Sequence, residues 1–183
     1  MKKILINGIL CLMITILLTG CNVETLKSNS PAEKSKGNCE ALDCINLIEP
    51  ENSIDEINKI IGLEGTLTDE KYNKYYWELS ENTGIEVTYY SSDKGTISVD
   101  FEKNSIANKK VNFSKYSEIQ SLLKSGTSLT YNEFVNKVGN VEGTLIEKSA
   151  YTKRYTWVNS DGGYLNASFS ENTGKCTVVT GRY

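Results

Sequence analysis

The chain has 183 residues, 39% hydrophobic and 23% charged, values that suit one ordinary folded domain or two small ones. Twenty Lys and Arg against 23 Asp and Glu give a formal net charge of −3, which removes the electrostatic basis for binding nucleic acid or anionic headgroups. There is no histidine, so the usual general base and the Ser or Cys triads built on it are excluded.

Lys2 and Lys3, the apolar run from Ile4 to Leu18 and the sequence Leu18-Thr19-Gly20-Cys21 read as a lipoprotein signal peptide over residues 1–20. The apolar run is too short and too early to be kept as a membrane span. Cys21 is then the lipidated first residue of the mature chain, with a diacylglycerol thioether and an N-acyl chain supplying the two signals that stable anchoring takes. The expected location is the cell membrane, lipid-anchored, on its extracytoplasmic face. Removing Lys2 and Lys3 leaves 18 basic against 23 acidic residues, a mature charge of −5. Residues 21–37, polar and holding Ser28, Ser30, Pro31, Ser35 and Gly37, read as a flexible linker.

Of the five cysteines, Cys11 leaves with the signal and Cys21 carries the lipid. Cys39, Cys44 and Cys176 remain where disulfides persist. Cys39 with Cys44 closes a small loop if Cys39 lies just before a helix, and Cys44 with Cys176 is the other pairing. Three thiols without histidine make a poor zinc site, and neither metal nor cofactor is expected.

Leu42, Ile45 and Ile48 predict a first helix that stops at Pro50, and the capping box Ser53-Glu56 with Ile54, Ile57, Ile60 and Ile61 predicts a second that ends at Gly62. Glu64-Gly65-Thr66-Leu67 follows, then Tyr72, Tyr75, Tyr76 and Trp77 as a strand, then a hairpin from Val87 to Phe101 turning at Asp93-Lys94-Gly95. The pattern then recurs. Tyr116, Ile119, Leu122 and Leu123 predict a third helix ending at Gly126. Thr130-Glu133, the Leu129–Phe134 staple, Val135 and Val138 predict a fourth, ending at Gly139. Glu142-Gly143-Thr144-Leu145 repeats the tetrapeptide, and Tyr155 to Phe169 aligns without a gap to Val87 to Phe101. The predicted class is α+β: two tandem repeats, residues 38–111 and 112–183, each a helix-loop-helix packed on a roughly four-stranded antiparallel sheet.

With Asp161 and Gly162 as the central turn residues, Val158 and Thr156 oppose Leu165 and Ala167 on the face that meets the helices. Trp157 and Tyr155 then lie on the open face, opposite Asn166 and Ser168. That face carries Tyr151, Tyr155, Trp157, Tyr164 and, from the first repeat, Tyr89, amphipathic aromatics of the kind that anchor protein recognition. A change of one residue in the loop length turns Trp157 and Tyr155 inward instead. Ser121-Leu122-Leu123-Lys124 matches the Ser-x-x-Lys of serine lactamases, but both leucines belong to the apolar stripe of a helix and the companion Lys-Thr-Gly is missing. Glu64 and Glu142, set in equivalent turns of separate repeats, do not form an acid–base pair. The chain is expected not to be an enzyme.

Tandem helix-pair-and-meander repeats, with Tyr155-Thr156-Trp157, then Asp161-Gly162-Gly163 and an alternating strand to Phe169, resemble the β-lactamase inhibitory protein and its lipoprotein relatives. The likeness covers about residues 38 to 183. It implies a concave sheet surface that grips an enzyme with aromatics and an acidic hairpin, here Ser91-Ser92-Asp93-Lys94, with Asp93 as the matching acid. Lys94 and Gly95 depart from the further aromatics an inhibitor would use. A looser similarity runs to the small outer-membrane-assembly lipoproteins, which usually carry one such unit. The expected function is an anchored module that binds an extracytoplasmic protein, a hydrolase in the inhibitory case, with no nucleic acid partner. The rival readings are a structural envelope-assembly lipoprotein and a prophage-type surface-exclusion lipoprotein.

Overall fold

The structure is a computed structural model that describes residues 36–90 and 94–182. The signal peptide, Cys21, most of the linker and Asp93 lie outside the described residues. Two helices come first, α1 (Ala41–Leu47) and α2 (Ile54–Ile61), followed by strands β1 (Thr66–Asp69), β2 (Lys74–Ser80), β3 (Thr83–Thr88) and β4 (Thr96–Asp100). A short 3-10 turn (Lys103–Ile106) leads to α3 (Tyr116–Lys124) and α4 (Tyr131–Lys137), then β5 (Thr144–Lys148), β6 (Thr152–Val158), β7 (Tyr164–Ser170) and β8 (Cys176–Arg182).

The local signals act as their chemistry requires. Ser53 and Thr130 each accept from the backbone N–H three residues on, while Glu56 and Glu133 return the bond to the cap residue's own N–H. Those backbone bonds hold both carboxyls below the usual carboxylate range. Gly62 ends α2 in the left-handed region, at φ +78°. Cys39 lies just before α1 and is disulfide-bonded to Cys44, their Cα atoms 5.6 Å apart. Cys176 is a free, buried thiol on β8, so the Cys44–Cys176 pairing does not form.

The expectation of two four-stranded sheets is overturned. All eight strands form one antiparallel sheet in chain order, because β4 pairs with β5 through Ile97–Lys148 and Ser98–Glu147. Separate sheets would leave β4 and β5 as open edges, and this short pairing joins the start of β4 to the end of β5. The seam is packed as well as paired. Leu145 of β5 packs against the core cluster of α1, α2 and β2–β4, while a second cluster gathers α3, α4 and β6–β8 around Phe134 and Trp157. Lys148 sits at the seam opposite Ile97, its side chain only 5% exposed, and its ammonium reaches the exposed Glu49 at 3.3 Å.

The β6–β7 register also differs from expectation. Asn159 closes a five-residue connection: its Oδ1 accepts from the N–H groups of Asp161 and Gly163, and its own N–H donates to Gly163 O. Val158 therefore opposes Tyr164 and Trp157 opposes Leu165. One residue in the loop has exchanged the two faces of the strand.

Candidate protein-binding site

The shared tetrapeptide is structural. A Cβ on Gly65 would lie 2.5 Å from the Trp77 indole, and one on Gly143 would lie 2.6 Å from that of Trp157, so only glycine lets each ring close over the chain. Around the first, Asn58 of α2 donates to Glu64 at 2.6 Å and accepts from both Gly65 N–H and the Trp77 Nε1–H. Around the second, the Tyr131 hydroxyl of α4 donates to Glu142 at 2.7 Å and accepts from Gly143 N–H, while Trp157 Nε1–H donates to Val141 O. Burial, with Glu142 next, raises the Tyr131 hydroxyl above the ordinary tyrosine range. Glu64 and Glu142 thus serve to hold turns, each bonded to a side chain of its own neighbouring helix.

The predicted aromatic face divides. Trp157 is buried at 2% exposure in the second core and Tyr155 packs half-buried beside it against Tyr131 and Phe169, so neither stands on the open face the sequence predicts. Tyr164 does lie on the face away from the helices, half-buried, with Lys103 Nζ 3.9 Å above its ring. Tyr89 packs against the first core, and its hydroxyl donates to Asn52 O at 2.5 Å. Burial raises that hydroxyl's pKa. Tyr151 is 66% exposed. Asp93 lies outside the described residues. In α3, the Ser121 hydroxyl donates to Ser117 O, and neighbouring Leu122 and Leu123 pack against the second core.

A different aromatic group emerges at one end of the sheet. Strands that alternate in direction place the β1–β2, β3–β4 and β5–β6 connections at the same end. Each of these connections raises an exposed tyrosine: Tyr72 at 42%, Tyr90 at 68% and Tyr151 at 66%. Tyr72 and Tyr90 meet edge to face at 6.3 Å between centroids, with Lys71 Nζ 4.8 Å from the Tyr72 ring.

Hydrogen bonds tie down the described backbone beside these rings. Tyr89 N–H donates to Asn73 O, Gly95 N–H to Pro50 O at 2.7 Å, and Glu171 N–H to Tyr151 O at 2.8 Å. Lys94 pairs with Glu51 at 2.8 Å, which raises the lysine pKa and lowers that of the glutamate through the hydrogen bond. The α1–α2 loop is thereby tied to the same end. Tyr72 is a turn residue rather than part of a strand, and the aromatic alternation of the strands does not reach Tyr90. The signal in the sequence is an aromatic set beside a polar run, as in Asp69-Glu70-Lys71-Tyr72-Asn73 and Tyr90-Ser91-Ser92-Asp93. Compared with known proteins, the chain matches no family model, no curated protein and no solved structure.

Proposed function

We propose that this chain is a non-enzymatic lipoprotein, anchored through Cys21 at the extracytoplasmic face of the cell membrane, that binds another extracytoplasmic protein with the rim of Tyr72, Tyr90 and Tyr151. The observation that carries the reading is the gathering of these three exposed rings at one end of a rigid sheet. Tyrosine offers a large amphipathic contact for little conformational entropy, the economy on which recognition surfaces draw. The path of the chain supports the same division of labour. Lys36 N–H donates to Leu79 O at 2.8 Å and Asn38 N–H to Ile61 O at 2.7 Å, so the described chain starts beside the end of β2 that lies away from the rim. Inhibition follows where the bound partner is a hydrolase and the rim covers its active site.

The test is affinity capture from the envelope of the native host with the full chain in mild detergent, against a Tyr72→Ala, Tyr90→Ala, Tyr151→Ala triple variant. Each truncation is expected to weaken binding by about 1–2 kcal/mol, so the triple variant should lose the partner. Recovery of the same partners by both forms at equal yield would sink the rim as the binding surface.

A further inference from the structure

The two edges of the sheet are unlike. β1 has four residues, slips register between Leu67 and Asp69, and runs into Asp69, Glu70 and Lys71, features that discourage further pairing. β8 has seven residues and carries neither charge nor proline before Arg182. Its Thr177, Val178, Val179 and Thr180 are strand-favouring types. Its first residue is occupied, since Cys176 N–H donates to Leu129 O at 2.7 Å and Lys175 bridges Thr130. Beyond that point Thr177, Val178, Thr180, Gly181 and Arg182 are exposed, Val178 at 52%. From Val178 to Arg182 the strand pairs in unbroken register with β7, and β8 is the last strand of the sheet.

We propose that β8 pairs antiparallel with β8 of a second copy of this chain. A two-fold axis produces this pairing, because it brings one surface against itself with its direction reversed. Charge favours this occupant: from Cys176 to Gly181 there is no ionisable carboxylate or amine, so two copies bring no like charges face to face. With the axis through Thr180, the middle of the unbroken stretch, Thr180 meets Thr180, Val179 meets Gly181 and Val178 meets Arg182. Val178 and Arg182 share the face away from the helices, so the methylene stem of Arg182 covers the exposed valine while its guanidinium stays in water. The antiparallel arrangement sets the two Lys36 entry points at opposite ends of the joined sheet. Both lipid anchors then reach one membrane when the strands lie along its plane.

The test uses the full chain in native membranes, carrying Thr180→Cys. A two-fold pair at this position places the two Cβ atoms about 5 Å apart, within reach of a disulfide under mild oxidation. A dimer-mass species is expected on non-reducing gels, lost on reduction. It should also be lost when Val178→Lys is added, since that variant sets a charge into the pair. Thr68→Cys on β1 serves as the edge control and should stay monomeric. Both positions are exposed, so a thermal melt close to that of the parent separates loss of pairing from loss of fold. A monomeric Thr180→Cys chain, equal cross-linking from Thr68→Cys, persistence of the dimer with Val178→Lys, or cross-linking only to a species of other mass overturns the proposal. The rim variants leave this readout unchanged, so the two readings fail separately.

Discussion

Trp77 and Trp157 close over the same Glu-Gly-Thr-Leu sequence, yet their indole N–H groups go to different kinds of acceptor. Trp77 gives its proton to the side chain of Asn58, which also holds Gly65 and Glu64. Trp157 gives its proton to a backbone carbonyl, and a separate group, the Tyr131 hydroxyl, holds Gly143 and Glu142. The first arrangement concentrates three bonds on one replaceable residue. The second distributes them, and one of its acceptors cannot be removed by substitution. Similar packing demands have therefore been met with unequal tolerance to change.

The sharpest break in the comparison is steric. Gly65→Ala and Gly143→Ala each drive a methyl group into a buried indole, and each is expected to cost about 1–3 kcal/mol in urea unfolding. A loss confined to one of them would show that the two rings are not equivalently confined. Asn58→Ala should follow, at about 2 kcal/mol, because it strands the Trp77 and Gly65 N–H groups together. Tyr131→Phe keeps its ring and leaves the Trp157 bond intact, so about 1 kcal/mol is expected. Equal costs for these two would remove the asymmetry.

The smallest effect separates the two cores by their thiols. Cys44 is locked in a disulfide in the first, whereas burial pushes the Cys176 thiol of the second up to about 11 from an ordinary value of 9.0. A raised pKa means that the fold favours the protonated thiol. That stabilisation is complete below about pH 9 and is lost as the pH climbs toward about 11, roughly 1 kcal/mol of it between pH 8 and 10. Cys176→Ala should flatten this part of the stability profile. A profile unchanged by the substitution would place the alkaline loss elsewhere, with the tyrosines.

The helices and both capping boxes were legible because their causes lie within a few residues of one another, whereas the Cys39–Cys44 bridge was one of two pairings the sequence left open. The faces of β6 were not, because the Asn159 side chain lengthens the loop by bonding two N–H groups, and a change of one residue reverses the whole strand. The Tyr-x-Trp pattern at Tyr75–Trp77 and again at Tyr155–Trp157 would have aligned β2 with β6 and put both tryptophans inside. The continuous sheet was hidden for another reason: the Ile97–Lys148 pairing joins distant segments and leaves no periodic trace.

A repeated pentapeptide shows the limit most plainly. Ser80-Glu81-Asn82-Thr83-Gly84 makes a two-residue turn with Ser80 opposite Thr83 and Gly84 in β3. Ser170-Glu171-Asn172-Thr173-Gly174 instead makes a longer turn, with Gly174 left-handed at φ +65°. The strands being joined choose the turn. The tyrosine rim was only partly legible for a related reason: Tyr151 stood out among aromatics near a strand, whereas Tyr72 and Tyr90 are brought to the same end only by the sheet topology.

The entry of the chain beside Leu79 has a mechanical consequence. Tyr72 stands in the turn before β2, and Lys36 is hydrogen-bonded near that strand's other end. On the proposed reading, tension between an anchor at Cys21 and a partner held on the rim would run along β2, sharing its load across the ladders to β1 and β3 in shear instead of opening them one bond at a time. The Cys39–Cys44 bridge would pass a share of the same pull into α1, so the first helix would carry force together with β2.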